Sequence, residues 1–127
     1  MGYRSSVHAI FYWPDEPEEA TEKEKYALLK FLFDTTYKDL VEAWNQHGQC
    51  FCFHDDIHLV EFEVHDMKWY DTFSEVQGFE QMMDTLNDAG FAYEFVRTGE
   101  DDTDIEINRS GNAGYKLSVQ TSSEIIA

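Results

Sequence analysis

Cations are scarce in this chain. Nine lysines and arginines face 26 aspartates and glutamates, a formal net charge of −17. Affinity for a duplex, an RNA strand or an anionic membrane comes from neutralising phosphates, so neither direct nucleic-acid contact nor a membrane surface is expected. Cysteine is scarcer still. The two present, Cys50 and Cys52, stand too close together to staple a domain and read as reduced thiols in a cytosolic protein. No apolar run approaches the ~18–20 residues that cross a bilayer. The opening "MGYRSSVHAIFYWPDEPEE" has one arginine and a short apolar run ending in acid. It lacks the regions of a signal peptide, so a cytoplasmic location is expected. There is no internal repeat, no low-complexity segment and no long linker, which leaves residues 1–127 as a single acidic domain. Also missing are G-x-S-x-G, the P-loop, G-x-G-x-x-G and H-E-x-x-H, so no catalytic residue and no cofactor is expected.

Aromatic residues, in contrast, make up 16% of the chain, which rules out a disordered polyanion despite the charge. In "SSVHAIFYW", Val7, Ala9, Phe11 and Trp13 alternate against His8, Ile10 and Tyr12. Both faces are partly apolar, as befits an inner strand. "PDEPEEA" holds both prolines and reads as a solvated loop. Thr21 with Glu24 forms a capping-box pattern before an apolar stripe at Tyr26, Leu29, Phe33, Tyr37, Leu40 and Trp44. "DTT" at 34–36 is a candidate break, with Thr36 able to cap a second piece, and Gly48 a natural stop. Strands follow at 49–54 and 57–65. Ser74 with Gln77 opens a helix carrying Val76, Phe79, Met83 and Leu86, closed by Gly90. "FAYEFV", "DIEIN" and "YKLSV" read as strands, the last two joined by the turn "RSGNAG". The expected fold is α+β: a mainly antiparallel sheet with two helices on one face, in the ferredoxin-like order β-α-β-β-α-β, plus a C-terminal hairpin.

"CFCFHDDIH" at 50–58 gathers ligand-type residues. Cys50, Cys52 and His54 share one strand face, but three consecutive same-face positions span roughly 13 Å and cannot converge on one ion without a bend. His58 joins them only if the turn has three residues. A two-residue turn, Asp55-Asp56, puts the histidines on opposite faces and collects Phe51, Phe53, Val60, Phe62 and Val64 together. The hairpin reading is therefore preferred, with Cys50, Cys52, His54 and His58 kept as zinc candidates. "GEDDTDIEI" at 99–107 alternates Asp102, Asp104 and Glu106 but lacks the glycine and terminal glutamate of a calcium loop. A small metal-dependent or hydrolytic enzyme built on either segment is the runner-up function.

Three stretches, "MGYRSSV", "KWYDTFSEVQGFEQMMDTL" and "FAYEFVRTGEDDTDIE", resemble a group of small uncharacterised proteins of bacteriophages and prophages. Its members open with Met-Gly-Tyr-Arg-Ser, carry "KWY" before the second helix and follow with "F-x-R-x-G-E-D" and "DIE". The matching blocks cover residues 1–7 and 68–106. The resemblance implies a phage origin, an α+β fold and residence in the host bacterial cytoplasm. It implies no reaction. Arg4 and Arg97 are expected to form structural ion pairs with carboxylates such as Glu100 or Asp101. Trp69 and Tyr70 are possible aromatic anchors, though core packing is the more economical role. The expected function is a non-catalytic acidic protein that binds a host defence or nucleic-acid-binding protein through the latter's basic surface. Anti-restriction by DNA mimicry is its sharpest form, and sensing by a bacterial immune protein a further one. The acidic surface would comprise Asp15, Glu16, Glu18, Glu19, Glu22 and Glu24 with Glu100, Asp101, Asp102, Asp104 and Glu106. A virion component is a third possibility, and the chain is expected to be a monomer or a homodimer.

Overall fold

The computed structural model describes residues 3–14, 19–101 and 103–117, and in the helix beginning at Glu19 the side chains from residue 21 onward. The elements run β1 (Ser5–Tyr12), α1 (Glu19–Asp34), α2 (Lys38–Asn45), β2 (Phe51–His54), β3 (Leu59–Met67), α3 (Ser74–Asp88), β4 (Ala92–Gly99) and β5 (Ile105–Arg109). The five strands form one sheet in the order β2-β3-β1-β4-β5, every neighbouring pair antiparallel. The α+β class and the mainly antiparallel sheet expected from the pattern are both present. The most apolar strand, β1, lies at the centre, where both its faces are covered.

One face of the sheet carries the main core. Val7, Ala9 and Phe11 of β1 meet Phe51, Val60, Phe62, Val64 and Phe95, and the helices lay Tyr26, Leu29, Phe33, Trp44, Val76, Phe79, Met82, Met83 and Leu86 over them. Three helices stand where two were expected, because the long apolar stripe is broken. The β-branched Thr35 turns its Oγ1 back to the Phe31 carbonyl at 2.7 Å, and the Tyr37 N–H closes on the Leu32 carbonyl at 2.9 Å. Tyr37, not Thr36, occupies the N-cap of α2, without a side-chain cap. The stripe survives the break, since Phe33 and Trp44 are both buried.

Neither capping-box pattern places its helix start. α1 begins at Glu19, ahead of Thr21. At α3 the N-cap is Phe73, and Gln77 donates to the Asp71 carbonyl instead of closing on the cap. The stop at Gly90 holds, with φ +101° where a side chain is strained. The β2–β3 turn is also longer than expected. His54 pairs with Leu59 and Phe53 with Val60, so residues 55–58 form a four-residue turn. The slip of two residues keeps the paired strand residues on the expected faces, so Phe51, Phe53, Val60 and Phe62 still point to the core, while Cys50, which precedes β2, leaves the expected face of Cys52 and His54 and joins the core. Of the expected C-terminal hairpin, β5 is present. In "YKLSV" the described residues 115–117 form only an isolated bridge at Leu117, and residues 118–119 lie outside the described chain.

Candidate functional site

On the face of the sheet away from the helices, polar and apolar residues divide into two halves. Ile10, Tyr12, Leu59, Ala92, Val96 and Leu117 pack a second, smaller core there. Within it lies Glu94, wholly buried. Its Oε2 accepts from the Tyr12 hydroxyl at 2.5 Å and the Lys116 N–H at 2.7 Å. Its Oε1 accepts from the Leu117 N–H at 3.0 Å and the Arg109 Nε at 3.2 Å. Four donors satisfy a carboxylate that would otherwise be prohibitively costly to bury. They also moor residues 114–117 across the sheet, because the Tyr12 hydroxyl in turn accepts from the Gly114 N–H at 2.6 Å. Nothing in the sequence reading singled Glu94 out. The available signal was an acid in the middle of "FAYEFV".

The other half of this face is a cluster of imidazoles and carboxylates around Glu61. Strand pairing puts Cys52 opposite Glu61 on one side and Ile10 opposite it on the other. His54 lies two residues along β2, and His8 two residues along β1. The His54 Nε2 sits 2.7 Å from Glu61 Oε1, and the His8 Nε2 sits 2.5 Å from Glu61 Oε2. One carboxylate thus bridges two rings. These contacts, the His8 hydrogen bond foremost, hold the Glu61 carboxyl down at about 2 against the desolvation that opposes them. The His8 side chain is 8% exposed, and its Nδ1 has no hydrogen-bond partner; the nearest acid, Glu63 Oε2, is 3.8 Å away. Glu63 also faces His65, at 3.3 Å.

This arrangement redraws the metal candidates. Cys52 and His54 come together with Glu61, their donor atoms all within 4.8 Å of one another, and His8, Glu61 and Glu63 form a second such group. Cys50 does not join them. It precedes β2, is buried in the main core and directs its Sγ to the Trp44 carbonyl at 3.2 Å. Burial accordingly pushes its thiol up from the ordinary value. His58 does not join them either. It sits in the turn at φ +53°, its ring against Tyr26 and its Nδ1 3.5 Å from Glu22 on α1. The cross-strand donor Glu61, which no pattern within residues 50–58 points to, supplies the convergence that three positions along one strand cannot.

Glu22 and the 100–104 loop stand apart. Tyr12 pairs with Leu59 beside the β2–β3 turn, and that turn touches Glu22 through His58. Glu100, Asp101 and Asp104 lie beyond Gly99, which pairs with Ser5 at the other end of β1. Seven residue steps of ~3.3 Å put the two ends about 23 Å apart. Glu24 is exposed on α1, while Asp15, Glu16, Glu18 and Asp102 lie outside the described residues, as does the side chain of Glu19.

Much of the second run is occupied. Arg97 reaches Asp104 at 3.0 Å, Glu106 at 2.9 Å and Ser5 Oγ at 3.0 Å. Its ion pair is as expected in kind, with Asp104 and Glu106 as partners rather than Glu100 or Asp101. Tyr3 donates to Asp104 at 2.6 Å, and Asp101 caps its own loop by accepting from the Thr103 N–H and Oγ1. Arg4 forms no ion pair among the described residues. Its Nη1 donates to the Asp66 carbonyl at 2.9 Å, where β3 carries a bulge with Asp66 at φ +57°, and its own N–H donates to Glu100. Trp69 is half-buried and stacks on Trp44 at 5.3 Å, which makes it part of the core margin and not an exposed anchor. Tyr70 is half-buried beside Phe73.

An acidic surface that the sequence reading did not single out appears on α3. Glu80, Asp84 and Asp88 are exposed and four residues apart, a row with one carboxylate per ~6 Å of helix. The Glu80 carboxyl is raised from its ordinary value, first by desolvation and then by the negative charges of Asp71, Glu106 and Asp84. Helix periodicity carried this signal, spread over nine residues and hidden among 26 acids.

The chain matches no protein-family model, no curated protein and no solved structure. No helix among the described residues is long and apolar enough to cross a membrane.

Proposed function

We propose that this protein is a non-catalytic acidic partner that binds the basic surface of another protein, with the outer face of α3 and the adjoining β5 as the contact region. The observation that carries this reading is the exposed row of Glu80, Asp84 and Asp88 along one side of α3. The Glu80 carboxyl is raised first by desolvation and then by the negative charges of Asp71, Glu106 and Asp84. No cation among the described residues pairs with Asp71, Glu80, Asp84 or Asp88. A folded chain gains nothing internally from such a concentration, whereas a basic partner relieves it. Glu106 of the edge strand β5 adds to the same region, since its partner Arg97 pairs in turn with Val7 of the helix-side core, which puts Glu106 on the face that carries α3.

In its more specific form, resting on the sequence resemblance, the chain is phage-encoded and the partner is a bacterial defence protein, with anti-restriction as the first candidate activity. The charge layout supports basic-surface binding better than close mimicry of DNA. The accessible surface of 7427 Å² shared over 17 net negative charges is about 440 Å² per charge. B-DNA carries one charge per ~1.7 Å of axis, some threefold denser than the ~6 Å spacing of the α3 row. Glu22 and the 100–104 loop stand at opposite ends of β1, so of the two sequence runs Glu106 is the member that joins the α3 row.

The test is the plating efficiency of an unmodified phage on a restriction-proficient host expressing this protein. Recovery of plaques by several orders of magnitude, lost on Glu80→Lys with Asp84→Lys but kept on Asp34→Lys with Asp39→Lys, is expected. No recovery from a soluble, folded and abundant protein overturns the anti-restriction form.

A further inference from the structure

We infer that Cys52, His54 and Glu61 form a binding site for a zinc-class divalent transition metal, with His8 holding the second oxygen of Glu61 in place. This goes beyond the protein-binding reading above and does not depend on it.

The donor set is the first argument. Sulfur, imidazole nitrogen and carboxylate oxygen together suit zinc or cobalt, whereas magnesium and calcium take oxygen alone. Geometry is the second. Metal–ligand bonds of ~2.0–2.3 Å set ligand-to-ligand separations of roughly 3.3–3.8 Å in a tetrahedron. The three donor atoms already lie within 4.8 Å of one another, and His54 Nε2 is 2.7 Å from Glu61 Oε1. An ion entering there replaces the hydrogen bond and opens that gap by about 0.6 Å, a small rotation for side chains on two paired strands. Binding displaces the thiol proton of Cys52 to solvent and moves the His54 ring proton off the coordinating nitrogen. Cys52 is exposed, so the fourth coordination position opens to water, as in sites that exchange a ligand.

His8 is the third argument and stands independently of the ligand list. The fold buries this imidazole to 8% exposure, spends its Nε2 on Glu61 and leaves its Nδ1 without a partner. Buried polar atoms left bare are rare. A ring so placed acts as the outer contact that fixes a carboxylate ligand, the arrangement found behind metal-binding residues. Glu63, 3.8 Å from that Nδ1, adds a negative charge that favours a cation nearby.

Cobalt(II) titration of the full chain, stripped with a chelator beforehand, tests this directly. One cobalt per chain is expected, with tetrahedral visible absorption and a thiolate-to-metal charge-transfer band, both removed by added zinc. Cys52→Ser abolishes the charge-transfer band. His54→Gln and Glu61→Gln each weaken binding at least tenfold. His8→Gln weakens it about 10–100-fold while the band remains, which separates positioning from ligation. Cys50→Ser and His65→Ala leave binding unchanged. Absence of stoichiometric binding, a cobalt spectrum lacking the thiolate band, or equal loss on His65→Ala overturns the site. Because Cys52 is exposed, Cys52→Ser keeps the fold intact and the test decisive, with the far-ultraviolet circular dichroism of each metal-free variant as the check.

Discussion

Replacing Glu94 with glutamine changes one atom in the middle of the smaller core and tests whether a single buried carboxylate organises that face. Four donors converge on it: the Tyr12 hydroxyl, the Arg109 guanidinium and the N–H groups of Lys116 and Leu117, at 2.5–3.2 Å. A glutamine keeps one accepting oxygen and turns an NH2 toward the other two donors. Two charge-assisted hydrogen bonds are lost, each worth about 1.5–3 kcal/mol. Arg109, 18% exposed, recovers part of its loss by turning to water, whereas the backbone donors cannot. The expected destabilisation is about 3–5 kcal/mol, in line with removing one partner of a buried pair. That is a large share of the ~5–15 kcal/mol typical of a domain and lowers the melting temperature on the order of 10–20 °C. Urea unfolding at neutral pH measures it. Amide exchange at Lys116 and Leu117 reads the local effect, and both amides should lose protection before the β1–β3 ladder does. A loss under about 1 kcal/mol with both amides still protected refutes the mooring role.

Glu61 carries an acid-limb signature. Its folded value of about 2 lies below the ordinary 4.5, so it contributes stability above pH ~4.5 that disappears as pH falls toward ~2. In metal-free protein, Glu61→Gln should flatten that limb by about 3 kcal/mol in urea titrations at successive pH values; an unchanged limb places the acid sensitivity elsewhere. Gly90→Ala puts a Cβ 2.8 Å from the Trp13 ring at φ +101°, and should cost about 1–3 kcal/mol and disturb the Trp13–Phe91 edge contact, visible in near-ultraviolet circular dichroism. Phe79→Ala empties the centre of the aromatic cluster, where the ring meets Phe11, Trp44, Phe62, Trp69 and Phe95. A loss of about 3–5 kcal/mol in chemical denaturation is expected, and a loss below 1 would mean the site collapses freely.

The two polar clusters on the exposed side of the sheet answer the same problem differently. Glu94 is surrounded by four donors from three places in the chain and is fully satisfied, which is what a structural carboxylate requires. Around Glu61 the donors are two imidazoles, with a reduced thiol beside them and one ring nitrogen left bare. That incompleteness distinguishes a poised site from a structural one. The acids of α3 stand on the opposite layer and engage nothing within the described chain, so the protein-contact and metal readings occupy separate surfaces.

The sequence by itself determined the class, the central strand and the faces. Alternation in β1 and the 26-to-44 stripe are local periodicities, and burying them leaves one economical layering whichever residues end each helix. The same parity argument kept the β2–β3 faces correct even though the turn grew from two residues to four, because a slip of two preserves which side each residue faces. Helix starts were less legible, since the α3 cap went to Phe73 once tertiary packing had oriented that turn. What only the tertiary structure decided was which distant residues meet. Glu61 joins His8, 53 residues away, and Glu94 joins Lys116, 22 away, because strand register sets cross-strand neighbours and register is a property of the assembled sheet. The distance between Glu22 and the 100–104 loop, and the approach of Glu106 on β5 to the α3 row, follow for the same reason: charge counts are local, but the field they make depends on where folding puts them.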